Sequence, residues 1–170
     1  VDFTVEVNRS LRVLDGLVFL FSAVDGVEPQ SETNWRLADQ YRVPRMGFVN
    51  KMDRQGANFL AVCGQVKDML KSNAVAITLP IGDEADFKGI VDLVKNQAIV
   101  WHDETQGATF DIVDIPADMI DDVKHYRSIL IEEIATYDEN LLDKYMEDEN
   151  SITEEEINNA LRAATIDMAI

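Results

Sequence analysis

The spacing of apolar residues divides this chain into a first half of alternating strands and helices and a second half of short strands followed by helices. Between residues 4 and 14, Val5, Leu11 and Leu14 stand among Glu6, Asn8, Arg9 and Arg12. That spacing predicts a short amphipathic helix, stopped by Asp15-Gly16 and covering a sheet. Leu17-Val18-Phe19-Leu20-Phe21 is continuously apolar, of strand length, and bounded by Gly16 and Asp25-Gly26. Without polar alternation, it predicts a parallel strand buried on both faces. Pro29 suits a first helical turn, and Gln30 to Tyr41, with Trp35, Leu37, Ala38 and Tyr41, predicts a helix that ends before Pro44. Met46-Gly47-Phe48-Val49 gives a second buried strand. Strand, helix and strand within about 35 residues make a βαβ unit with a right-handed crossover. From Gly56 to Ser72, Phe59, Val62, Cys63, Val66, Met69 and Leu70 recur at helical spacing, with Lys67 and Lys71 near the end. Cys63 falls on that apolar stripe, four residues after Phe59, and is read as a buried core thiol.

The period then changes. Residues 75–81, 89–94, 97–101 and 109–115 are short and β-branched, with turn residues at Gly82-Asp83-Glu84 and Gly107, which predicts an antiparallel sheet. A long helical stretch from about Asp118 to Glu147 follows, in which Val123, Tyr126, Leu130, Ile134, Tyr137, Leu141 and Tyr145 recur at intervals of three and four. A break is expected near Asp138 to Asn140. Thr153 with Glu156 makes a capping box before a last helix that carries Ile157, Leu161 and Ala164.

Composition narrows the function. The chain has 170 residues, 46% hydrophobic and 28% charged, ordinary globular proportions that exclude disorder. No apolar run approaches the ~18 residues of a membrane-spanning helix. Against 15 Lys and Arg stand 32 Asp and Glu, a net charge of −17 that disfavours general nucleic-acid binding and anionic lipid. That charge is uneven: residues 1–100 hold 13 acids and 11 bases, residues 101–170 hold 19 acids and 4 bases. Two differently used surfaces follow. Runs such as Glu147-Asp148-Glu149 and Glu154-Glu155-Glu156 fit solvated helix faces or favourable charges at a helix N-terminus. A single cysteine and no leader-like opening point to a reducing cytoplasm, with no membrane partner. The opening Val1-Asp2-Phe3 and the largely apolar ending from Ile166 to Ile170 suggest an excised piece of a longer protein.

The sharpest chemical signal is Asn50-Lys51-Met52-Asp53, directly after the second predicted strand. Ligands of open α/β sheets bind beyond the carboxyl ends of parallel strands, where this tetrapeptide projects. An Asp carboxylate can accept two parallel hydrogen bonds from guanine N1–H and its exocyclic amine, and a Lys stem can lie against the base. The Asn amide suits either the O6/N7 edge or the tethering of a neighbouring loop. On their own, four such residues fit a solvated βα loop equally well. His102 and His125 have no partner histidine at helical spacing and no cysteine pair nearby, so no metal site is expected.

The surrounding residues resemble the translational GTPases, the elongation factor G family in particular, across nearly the whole chain. Phe48-Val49-Asn50-Lys51-Met52-Asp53-Arg54 is similar to the family's guanine-specificity motif, and Val1-Asp2-Phe3 to the tail of its switch II. Asp25 to Thr33 resembles the segment entering the next helix. Leu79-Pro80-Ile81-Gly82 with Phe87 to Leu93 looks like the start of the subdomain inserted into the family's GTPase domain.

The resemblance implies an α/β fold, a partial P-loop GTPase with a parallel sheet and flanking helices, interrupted by an inserted α+β subdomain. Residues 1–73 would be the C-terminal part of the GTPase domain, 74–165 the insertion, and 166–170 the return. The implied parent is a ribosome-dependent GTPase that drives translocation of tRNA and mRNA, using GTP or GDP with Mg2+. Asn50, Lys51 and Asp53 would read guanine. Glu132 and Glu139, seven residues apart on one face of the long helix, would meet a basic ribosomal stalk protein. No Gly-x-x-x-x-Gly-Lys-[Ser/Thr] occurs in the 170 residues. No catalytic residue, bound nucleotide or GTP hydrolysis is therefore expected of this stretch alone, nor sequence-specific nucleic-acid binding. Two other readings stay open: another ribosomal GTPase of the release factor three or ribosomal-protection type, and an acidic protein-binding module without nucleotide function.

Overall fold

The computed structural model describes residues 4–102 and 109–170, so Val1, Asp2, Phe3 and the turn expected at Gly107 lie outside the described residues. The first half runs α1 (Thr4–Leu11), β1 (Leu17–Ser22), α2 (Pro29–Gln40), β2 (Arg45–Asn50) and α3 (Phe59–Leu70). β1 and β2 pair in parallel, in register from Leu17 opposite Arg45 to Ser22 opposite Asn50. Pro29 opens α2, where its missing N–H costs no helical bond. Asn58 caps α3 by accepting from the Ala61 N–H at 2.9 Å, an arrangement worth about 1 kcal/mol to a helix.

Among the described residues, one face of this two-stranded sheet is covered and the other is not. Phe21, Val27, Trp35, Val62, Val66 and Leu70 are buried together, with Phe19 and Val49 packed against them. The Phe19 and Trp35 rings meet edge to face at 5.2 Å, and the Arg45 guanidinium lies over Trp35 at 4.3 Å. The expectation of burial on both faces does not hold: Val18 and Leu20 of β1, and Met46 and Phe48 of β2, are each more than half exposed. Alternate residues of a strand point to opposite faces, and α2 and α3 pack on the side of Phe19 and Phe21 alone. The first helix differs too. Leu11 is buried with Ala38 and Val43, with Val7 and Leu17 against them, whereas Val5 and Leu14 are exposed. The helix stops at Leu11, and a 3.0 Å bond from Val13 N–H to Ser10 O turns the chain, so Leu14 lies past it. α1 thus rests on α2 and the start of β1 rather than across a sheet face.

In the second half, β3 (Thr78–Ile81), β4 (Gly89–Asp92), β5 (Gln97–Trp101) and β6 (Phe110–Val113) form an antiparallel sheet in sequence order. At the β3–β4 turn, Gly82 has φ +75°, and a Cβ there would fall 2.2 Å from the Asp86 carbonyl oxygen, so only glycine fits. α4 (Ile120–Ala135), α5 (Glu139–Glu147) and α6 (Glu154–Ile166) follow. Leu93, Leu130, Ile131, Ile134, Leu141 and Ile157, all below 2% exposed, anchor the core they share with the sheet. The half-buried Arg127 reaches from α4 to donate to the carbonyls of Leu93 and Val94. Burial pushes its pKa down, and Glu149, 3.5 Å away, opposes the shift. Thr153 and Glu156 form the expected capping box, Thr153 N–H donating to Glu156 Oε2 at 2.8 Å and Glu156 N–H to Thr153 Oγ1 at 3.3 Å.

The long helix breaks as predicted, with a consequence for two acidic residues. Asp138 caps α5 by accepting from the N–H groups of Asn140 and Leu141 at 2.9 and 3.4 Å. Glu132 therefore sits on α4 while Glu139 opens α5, and their spacing does not place them on one continuous helix face. Where the two halves meet, Asn73 Nδ2 donates to Glu133 Oε2 at 2.8 Å and to Ala169 O at 3.4 Å. No helix among the described residues is long and apolar enough to cross a membrane.

Candidate functional site

The parallel register sets the carboxyl ends of β1 and β2 side by side, with Ser22 opposite Asn50, and one loop leaves from each. In the first, Ser22 Oγ donates to Asp25 Oδ2 at 2.7 Å and accepts from Asp25 N–H at 3.1 Å. The Ser22 hydroxyl, helped by Lys51, holds the Asp25 carboxyl below the usual range against a smaller desolvation effect. Gly26 follows at φ +69°, and a Cβ there would lie 1.9 Å from Gln65 Oε1. That oxygen accepts from Val27 N–H at 2.8 Å, so α3 holds the loop through Gln65.

The second loop begins with Asn50, whose Oδ1 accepts from Lys51 N–H at 2.8 Å. Lys51 adopts φ +65°, and its Nζ stands 3.6 Å from Asp25 Oδ2, linking the two loops. Met52 turns inward, buried with Ala23 and Ala57, and Phe59 and Phe87 pack against them. Lys51 and Asp53 flank this buried anchor and are both exposed. Asp53 makes no hydrogen bond or ion pair among the described residues, which leaves both carboxylate oxygens to accept from a ligand. Bonds from Arg54 N–H to Lys51 O at 3.2 Å and from Ala57 N–H to Arg54 O at 3.1 Å close the turn.

Residues 1–166 match the family described as Elongation factor Tu GTP binding domain. The chain belongs to that family. Family membership agrees with a parallel α/β unit whose loops gather at one strand edge. Among curated relatives, the chain is 68% identical over all its residues to an elongation factor G of Cytophaga hutchinsonii and 59% identical to one of Amoebophilus asiaticus. An elongation factor G of Karelsulcia muelleri is 52% identical. The chain spans 24% of the length of each. A crystal structure of a Thermus thermophilus protein superposes with a TM-score of 0.82 at 26% identity, covering 98% of this chain and 24% of that one.

Within this family fold, Asn50, Lys51 and Asp53 leave a single strand end, as the sequence pattern requires. The remaining candidates lie elsewhere. Glu132 Oε1 accepts from Tyr145 O–H at 3.3 Å on the helical side of the second half, and Glu139 opens a separate helix. His102 Nε2 lies 3.0 Å from Asp111 Oδ2, and the His125 ring packs edge to face on Tyr126 at 5.2 Å. Sequence reading missed Asp25 as the partner of Lys51, Ser22 and Gln65 as the residues that hold the Asp25 loop, and Glu84, whose Oε1 accepts from Gly56 N–H at 2.7 Å. Asp25 and Glu84 both read as turn residues, Asp25 beside Gly26 and at the start of a family-like segment, Glu84 two residues after Gly82.

Proposed function

We propose that the longer protein carrying this chain is an elongation factor G, a ribosome-dependent GTPase that drives translocation of tRNA and mRNA. This stretch supplies its guanine recognition and a subdomain that contacts the ribosome. One observation carries the reading: the Asn50-Lys51-Met52-Asp53 loop lies at the carboxyl end of β2, with Asp53 exposed and unpartnered among the described residues, in a chain of a GTP-binding family. In this role Asp53 accepts from guanine N1–H and the exocyclic amine, which adenine does not offer in that arrangement. The Lys51 stem lies along the base while Asp25 steadies its ammonium. Asn50 braces the loop through its bond to Lys51 N–H.

GTP or GDP with Mg2+ is the ligand of the longer protein. Residues other than these hold the phosphates, metal and attacking water, since the phosphate-loop pattern does not occur in the 170 residues. By itself this stretch neither hydrolyses GTP nor retains nucleotide. Residues 1–73 form the C-terminal part of the GTPase domain, with Val1, Asp2 and Phe3 as the tail of switch II. Residues 74–165 form the inserted subdomain, and 166–170 return toward the GTPase domain. The separation of apolar clusters supports this division, one drawing its buried members from Leu79 to Ala164 and another from Phe21 to Leu70. Glu132 and Glu139 face a basic protein of the large-subunit stalk, and the protein works in the cytoplasm.

The test is Asp53→Asn in the longer protein, with GDP and XDP binding measured at equilibrium. A hydrogen bond to a charged group contributes about 1.5–3 kcal/mol, so GDP should weaken by about ten- to a hundredfold. XDP should gain, because the amide presents a donor where xanthine carries an acceptor. Unaltered preference for GDP would remove Asp53 from base recognition.

A further inference from the structure

Glu84 lies 28 residues beyond Gly56 in sequence, yet it holds the recognition loop at two points. Its main-chain N–H donates to Met52 O at 2.9 Å, and its Oε1 accepts from Gly56 N–H at 2.7 Å. These contacts bracket the segment Asp53-Arg54-Gln55. The loop's own bonds, between Arg54 and Lys51 and between Ala57 and Arg54, leave Met52 O and Gly56 N–H to Glu84. Glu84 itself adopts φ +51°, a left-handed conformation that costs a non-glycine residue about 1–2 kcal/mol and persists where surrounding contacts over-determine it. Three residues further on, Phe87 packs against the cluster of Ala23, Met52 and Ala57, so the same β3–β4 connection also closes the apolar side of the loop.

This inference rests on the guanine-recognition reading above. We propose that Glu84 is a positioning residue for guanine selection, acting through Met52 and Gly56 to fix the backbone on both sides of Asp53. Accepting two parallel N–H groups requires both oxygens of Asp53 in line with the base edge, and a loop released at Gly56 loses that alignment. The bond to the exocyclic amine then weakens along with the bond to N1–H. Discrimination against inosine nucleotides, which lack that amine, falls with it. The antiparallel sheet of the second half is in this way part of the scaffold for base recognition at the edge of the first.

The experiment compares Glu84→Ala, Glu84→Gln and Asp53→Asn in the longer protein, reading GDP association and dissociation by stopped flow and the GDP-over-IDP affinity ratio. For Glu84→Ala, GDP dissociation should quicken about tenfold with little change in association, and the ratio should fall severalfold. Glu84→Gln keeps an oxygen acceptor and should restore both to within about twofold of the parent. A purely structural role would lower the melting temperature without moving the ratio. An unchanged dissociation rate and ratio in Glu84→Ala, or failure of Gln to rescue, overturns the proposal. If Glu84→Ala does not fold, Glu84→Asp keeps the charge and the main-chain bond but shortens the reach to Gly56, and unchanged values there overturn it equally. Asp53→Asn separates the two levels. If it keeps guanine preference, the recognition reading falls and Glu84 with it; if it loses preference while Glu84→Ala is silent, only the role of Glu84 falls.

Discussion

Lys51 Nζ stands 3.6 Å from Asp25 Oδ2, and this contact joins the loops that leave two adjacent parallel strands. Each side chain is 51% exposed, so solvent screens the pair and its contribution is about 0.2–1 kcal/mol. Asp25→Ala in the longer protein should therefore weaken GDP by no more than about fivefold, read by fluorescence titration. A loss well above tenfold would mean that Asp25 touches the nucleotide itself rather than steadying Lys51.

The start of α6 should respond to acid in a defined direction. The Lys144 ammonium, followed by the Thr153 amide and hydroxyl, holds the Glu156 carboxyl at about 2 instead of the ordinary 4.5. A carboxyl depressed on folding stabilises the folded state above its ordinary value, and that contribution drains away as pH falls from about 4.5 toward about 2. Gln at the same position can keep the capping geometry without the charge. The advantage of the parent chain over Glu156→Gln in urea unfolding should be full near neutrality and vanish toward the acid limit. An advantage that grows with acidification would contradict the assignment.

Cys63 should be a sluggish nucleophile. Burial pushes its thiol up, and Lys67 only partly offsets that effect. Near neutral pH its reaction with a maleimide should run about tenfold or more below that of a free thiol, and urea should remove the difference. Rapid native-state labelling would mean that α3 opens readily along the side carrying Phe59 and Val66.

Charge reversal should register at the acidic helices. Glu132→Lys combined with Glu139→Lys in the longer protein should lower stalk-stimulated GTP turnover severalfold and make association less salt-sensitive. Because one residue lies on α4 and the other opens α5, the two single variants should contribute unequally. An unchanged salt dependence in the double variant would clear both residues of any role at that interface.

The elements were legible because their periods are local. Helical spacing in Phe59 to Leu70, short β-branched runs between turn residues in the later strands and the Thr153 and Glu156 pair each specify structure within a few residues. The place of the Asn50 to Asp53 loop directly after β2 was legible for the same reason, since its four residues and the strand before them are contiguous. What escaped depends on partners distant in sequence. The unbroken apolarity of Leu17 to Phe21 says that β1 can be covered on both sides, yet exposure of Val18 and Leu20 is decided by which helices arrive. Glu84 carried no periodic signal, because its two bonds reach a loop about thirty residues earlier. Its identity as turn material was correct and said nothing of what the turn holds.

Asn73 reaches Ala169 across 96 positions of sequence, so the chain departs from the end of α3 and comes back beside the same side chain. An excursion whose two ends meet needs no re-threading of the strands that carry it. A short linker between the two crossings would close the gap. On the proposed division, in evolutionary terms, such an element could be acquired, exchanged or lost in a single genetic event while β1 and β2 keep their pairing.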